Sequence, residues 1–161
     1  MFALRPVTRA ALPLLKRSYA EAAPATASKL KLSLVLPHQT LFSSSEVTQV
    51  NIPASSGNMG ILSGHVPTLE ALTPGLVEVI EGANGSKKWF ISSGFASVHP
   101  NNELTINAVE AYDIADFDAS AVKSSLAAAK QTLSSTTSEY AKAEAQVEVD
   151  VLTVLEAAVK A

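Results

Sequence analysis

Lys29-Leu30-Lys31-Leu32-Ser33-Leu34-Val35-Leu36 is the stretch that decides the fold class. Leu30, Leu32, Leu34 and Leu36 alternate with Lys29, Lys31, Ser33 and Val35. Side chains at every second position share one face of an extended chain, so this spacing predicts a strand with one face on a core and one outside. Pro37 ends it. Working outward, Val47 to Ile52 is a second strand candidate, closed by Pro53 and the turn-forming Ser55-Ser56-Gly57-Asn58. Leu76–Glu81 and Lys87–Ser92 follow, joined through Gly82-Ala83-Asn84-Gly85, where an Asn-Gly pair tolerates the positive φ of a hairpin turn. Pro100-Asn101-Asn102 links Phe95–Val98 to Leu104–Val109. Short strands at this spacing with turn residues between them predict a β-sandwich or barrel.

The pattern changes after Tyr112. Asp113, Asp116 and Asp118 precede an alanine-rich segment, where acids suit the positive end of a helix. Val122, Leu126, Ala129 and Leu133 recur at helical spacing. The run 134–138 interrupts, and Thr136 followed by Glu139 reads as a capping box for a second helix. On that helix Tyr140, Ala143, Val147, Val151 and Val154 form one stripe, and Val149, Leu152 and Val159 a second beside it. Two helices with a brief polar link predict an antiparallel hairpin. The second helix carries more apolar surface than one partner helix covers. Val149, Leu152 and Val159 are therefore expected to dock the hairpin on a neighbouring surface, either the sandwich or another chain.

The other end of the chain is of a different kind. Arg5, Arg9, Lys16 and Arg17 stand among leucines in the first twenty residues, with no acid. Such an N-terminus predicts a mitochondrial targeting presequence over 1–19, cleaved after Tyr19. A flexible leader follows over 20–28, the strand domain over 29–112 and the hairpin over 113–161. Removing 1–19 takes four positive charges away and lowers the net charge from −3 to −7. An acidic chain is a poor nucleic-acid binder, and no apolar run approaches the roughly 18 residues of a spanning helix. With 47% hydrophobic residues in 161, the chain is long enough to bury a modest core.

No chemistry-bearing constellation emerges. Ser63 and His65 stand two residues apart, a spacing that sends extended side chains to opposite sides. His38 and His99 sit beside prolines at strand ends. Three scattered histidines and no cysteine give no metal-ligand spacing, and no Walker-type Gly-Lys-Ser/Thr loop is present. Arginine is confined to the presequence, so the mature chain lacks a bidentate phosphate clamp. No catalytic, cofactor-binding or metal-ligating residue is expected. Gly57, Gly60 and Gly64 permit tight turns, so Ser56-Gly57-Asn58-Met59 and the turn through His65 are expected to project from one end of the sandwich.

The ordered motifs resemble one family. Leu41-Phe42, Glu46-Val47 through Ile52-Pro53, Gly57, and Gly60-Ile61-Leu62-Ser63-Gly64-His65-Val66-Pro67 are similar to the N-terminal domain of ATP synthase epsilon/delta subunits. Leu72-Thr73-Pro74-Gly75, Phe90-Ile91-Ser92-Ser93-Gly94-Phe95-Ala96 and Leu104-Thr105-Ile106 continue the resemblance in order. The presequence selects the mitochondrial branch. The resemblance implies a ten-stranded antiparallel β-sandwich followed by a helical hairpin. It also implies a rotor-stalk subunit without bond chemistry, bound to the gamma shaft, the small mitochondrial epsilon subunit and the ring of c subunits on the matrix side of the inner membrane.

In that family the sandwich tip faces the ring, which implies ring contact for Ser56, Gly57, Asn58 and Met59. Gly60, Gly64, His65 and Pro67 are expected to shape the adjoining turn. Bacterial relatives bind ATP regulatorily through a motif that matches Phe117-Asp118-Ala119-Ser120-Ala121-Val122 here. Asp118 is retained, but the arginine position holds Ala121, which counts against the alternative of a nucleotide-responsive regulatory subunit.

Overall fold

The computed structural model describes residues 29–82 and 85–160. The expected presequence and leader, and Ala83 and Asn84 of the expected hairpin turn, lie outside the described residues. Ten strands come first: β1 (Leu30–Val35), β2 (Thr40–Val47), β3 (Gln49–Ala54), β4 (Gly57–Leu62), β5 (Thr68–Leu72), β6 (Gly75–Ile80), β7 (Ser86–Ile91), β8 (Gly94–His99), β9 (Glu103–Ala108) and β10 (Ala111–Asp113). A 3-10 turn at Ile114–Asp116 leads into helices α1 (Ala119–Ser135) and α2 (Glu139–Val159).

The leucine alternation of β1 resolves as its spacing requires. Leu30, Leu32 and Leu34 are fully buried while Lys29 and Lys31 are exposed. They meet Val50, Ile52, Val77, Val79, Leu104 and Ile106 in one core that fills the sandwich. The hydrogen-bonded order is β10-β7-β6-β3-β5-β8-β9-β1-β2, with β4 on β3. β3 makes the corner between the layers. Its residues Gln49–Asn51 pair with β6, whereas Ala54 pairs with Leu72 of β5. All pairs are antiparallel except β1 with β9, which run parallel.

Two local expectations need correction. Val47 to Ile52 is not one strand: the chain bends at Thr48, whose N–H donates to the Ile80 carbonyl at 2.8 Å. Thr136 does not open α2 through a capping box. It closes α1, donating its N–H to Thr132, and Ser138 is the residue at the start of α2, with no side-chain cap. Thr136 and Ser138 are both extended, so Glu139 is the first residue of α2 and not the third, as a capping box from Thr136 would need.

Hairpin and sandwich meet on the outer face of β6 and β7. Strand alternation turns Val77 and Ile91 inward and leaves Leu76 and Phe90 outside. Val122 of α1 and Leu155 of α2 cover them, together with Val151, Leu152, Ala158 and Val159. Phe117 stacks edge-on against both Phe90 and Tyr112, at 6.0 and 6.1 Å between ring centroids. A second cluster, Leu126, Ala129 and Val149 with Leu133 and Leu152, holds the helices together farther from the sheet.

Candidate partner-binding surfaces

The β3–β4 hairpin forms the tip. Pairs run Ile52 with Met59, Pro53 with Asn58, and Ala54 with Gly57, around a two-residue turn at Ser55-Ser56. Gly57 has φ +126°, a conformation that favours glycine. The turn is tied down. Ser55 N–H donates to Ala71 at 2.8 Å, and Ser56 Oγ donates to the Glu70 carboxylate at 3.1 Å. Ser56, Gly57 and Asn58 are exposed.

Residues 57–59 are strand and not the projecting loop expected, because β3 offers a complete ladder to pair with. Met59 is half-buried and leans on the core beside Ile52. Gly60 also departs from its expected role. It sits in mid-strand opposite Asn51, where a Cβ would come within 3.2 Å of both Asn51 Oδ1 and Gln49 Nε2. Its value is the space it leaves for a polar row in which Gln49 Nε2 donates to Asn51 (2.7 Å) and Asn51 Nδ2 donates to Glu78 (2.9 Å).

The true turn lies beyond β4. Gly64, at φ +80°, donates its N–H to Asn102 Oδ1 at 2.7 Å, and Asn102 itself has φ +60°. The β8–β9 turn thereby clips the β4–β5 turn. His65 N–H donates to Leu62, and its Nδ1 lies 2.8 Å from the Val66 carbonyl, so that nitrogen carries the hydrogen. Pro67 is exposed at the approach to β5. Sequence reasoning placed Ser63 and His65 in one motif, and the structure gives His65 this backbone-directed role.

The hairpin residues divide. Val149 packs within the hairpin against α1, Leu152 joins both helical clusters, and Val159 reaches the sheet-facing cluster of Phe90 and Leu155. The stripe read beside them is the outward one: Tyr140, Ala143, Val147 and Val154 are exposed, and Val151 alone is half-buried toward the sheet. Asp118 caps α1. Its Oδ1 accepts the Ser120 N–H at 2.8 Å, and chiefly this bond, with the Ser120 hydroxyl, holds its carboxyl below the usual aspartate range. Ala121 next to it is exposed.

One surface was not legible beforehand. Leu69 (70% exposed), Phe95 (58%) and Val109 (55%) stand on the outer face of β5, β8 and the end of β9, beside a groove lined by Val35, Leu36, Pro37 and Leu72. Phe95 pairs across with Ala71 and Asn107, so the three strands share this face. The only available signal was Phe95 itself, which breaks the rule that a strand's aromatic faces the core.

Among the described residues, no cluster of three His, Cys, Asp or Glu could hold a metal ion, and no helix is long and apolar enough to cross a membrane. A sandwich carrying a helical hairpin, with its exposed apolar groups spread over several faces, defines a binding module that presents surfaces to other chains. Residues 29–114 match the family described as ATP synthase, Delta/Epsilon chain, beta-sandwich domain. The chain belongs to that family, in the branch of the mitochondrial delta subunits. It is 54% identical over 141 residues to "ATP synthase subunit delta, mitochondrial" of Agaricus bisporus, covering 88% of this chain and 84% of the relative. It is 54% identical over 145 residues to the Saccharomyces cerevisiae protein of the same name, covering 90% and 89%. Among solved structures, a chain of the Euglena gracilis mitochondrial ATP synthase OSCP/F1/c-ring assembly superposes with a TM-score of 0.78 at 26% identity, over 88% of this chain and 87% of that one.

Proposed function

We propose that this chain is a non-catalytic subunit of the rotor stalk of mitochondrial ATP synthase, joining the gamma shaft to the c ring on the matrix side of the inner membrane. One observation carries the reading: the large exposed apolar groups lie on separate faces. Leu62 and Val66 mark the turn end, Leu69, Phe95 and Val109 the outer sheet, and Tyr140 and Val147 the hairpin. A body that must hold several neighbours without slipping needs broad contacts on more than one side.

The sheet face around Phe95 suits the gamma shaft, and the tip at Ser56, Gly57 and Asn58 suits the ring loops. Half-buried Met59 adds an adaptable apolar contact at the edge of that tip. The mitochondrial epsilon subunit completes the set of partners. The presequence is removed on import, and the mature N-terminus is Ala20.

Photo-crosslinkers at positions 58 and 95 in the assembled complex test the assignment. Adducts from 58 to the c subunit and from 95 to gamma are the expected result. Normal assembly with neither adduct would overturn it.

A further inference from the structure

We propose that the crevice between the outer face of β6–β7 and the last turns of α2 is a binding site for a small zwitterion with an apolar body, namely an apolar α-amino acid. The inference goes beyond the stalk reading and does not rest on it. The crevice holds about 530 Å³, a size usual for small-molecule sites. Its floor is a polar row across three strands, in which Asn51 of β3 pairs with Glu78 of β6, and Glu78 with Lys88 of β7. Strand alternation puts this row on the outer face, with Leu76 and Phe90. Val154 and Ala157 of α2 and the rings of Pro53 and Pro74 supply apolar walls.

The floor sets the head of the ligand. Lys88 is half-buried and enters none of the ion pairs among the described residues, although Glu78 stands opposite it in the ladder. Glu78 Oε2 accepts the Asn51 amide at 2.9 Å, which leaves Oε1 open to a donor. A lone anion would be drawn to Lys88 and repelled by Glu78, and a lone cation the reverse. A carboxylate and an ammonium on one carbon satisfy both. Lys88 is the one cation among the lining residues, so a polyphosphate finds too little positive charge. The walls set the body. The Pro53 carbonyl accepts both the Thr73 N–H, at 2.9 Å, and the Thr73 hydroxyl, at 3.2 Å. That wall is therefore fixed before a ligand arrives, which reduces the ordering that binding requires.

Three probes that share one ring separate the two charges: L-phenylalanine, 3-phenylpropionate, which lacks the ammonium, and 2-phenylethylamine, which lacks the carboxylate. Each is titrated into the purified full chain and followed through backbone amide chemical shifts. L-phenylalanine should saturate in the millimolar range, about threefold or more tighter than either relative, with shifts at Glu78, Lys88 and Ala157. No saturation by L-phenylalanine, equal binding of all three, or shifts confined to other surfaces overturns the proposal.

Variants then assign each charge. Lys88→Gln should erase the advantage of L-phenylalanine over 2-phenylethylamine. Glu78→Gln should erase its advantage over 3-phenylpropionate, while the glutamine oxygen still accepts the Asn51 hydrogen bond. Ala157→Trp, at an exposed helix position, should fill the crevice and abolish binding. Lys87→Gln, one residue along β7 and turned to the opposite face, should change nothing. Equal weakening by Lys87→Gln, or unchanged selectivity in both Lys88→Gln and Glu78→Gln, overturns the proposal.

Discussion

Gly94 opens β8 opposite Ala108, where the two strands approach so closely that a Cβ would lie 2.3 Å from the Asn107 carbonyl oxygen and 2.9 Å from the Ala108 Cα. Backbone cannot swing aside as a side chain can. Gly94→Ala should therefore cost about 1–3 kcal/mol, toward the upper end, measured by urea unfolding. Asp118 supports a prediction about pH. Its folded pKa is lowered, so its contribution is complete above the ordinary aspartate range and is lost as pH falls through the lowered value. Asn caps a helix without titrating. Asp118→Asn should flatten the acid limb of the melting curve relative to wild type, and identical limbs would show that the cap does not contribute. Neither role was fully legible in the sequence. A glycine's reason for being glycine lies in what approaches it, and Asn107 and Gln49 reach Gly94 and Gly60 only through tertiary pairing. The acids before α1, by contrast, could be read directly because capping is local.

At the scale of elements, the hairpin is held to the sheet by a single apolar cluster and to itself by another. Val149→Ala removes packing between the helices and should cost about 1–3 kcal/mol of hairpin stability. Leu152→Asp should be worse, since Leu152 joins both clusters and the carboxylate gains no partner there. The one tryptophan, Trp89, packs against the sandwich core beside Phe42 and so reports on the strands alone. Helical circular dichroism of the Leu152→Asp protein should melt early while tryptophan emission keeps its transition. Coincident loss of both signals would show that hairpin and sandwich fold as one unit. The stripe of α1 was readable because Val122, Leu126, Ala129 and Leu133 are its only apolar row. On α2 two rows compete at equal hydrophobicity, and only the position of α1 selects between them. β4 escaped notice for a related reason: with Gly57 and Gly60 it has little strand propensity of its own and borrows its form from β3.

For the whole molecule, the nucleotide-responsive alternative makes a clear difference. Asp118, the residue that matches the regulatory motif, is occupied in capping a helix, Ala121 offers no cation, and the described residues contain no arginine. Calorimetric titration of the purified protein with millimolar ATP should show no saturable heat, and a micromolar dissociation constant would restore that alternative. The general architecture was legible from alternation and turn residues, since strands such as β1 carry their buried face in their own residues. The corner was not, because it depends on which distant strands reach β3. That corner has a mechanical consequence. Among the described strands, β3 is the one bonded to three others, β4, β5 and β6. A sideways load on the Ser55-Ser56 turn enters β3 and divides at once between both layers through backbone bonds. In a sandwich whose sheets touched only by side chains, such a load could slide one plate over the other. Here that shear must first break a ladder, so the domain transmits force as a stiff block, and compliance is left to the helices.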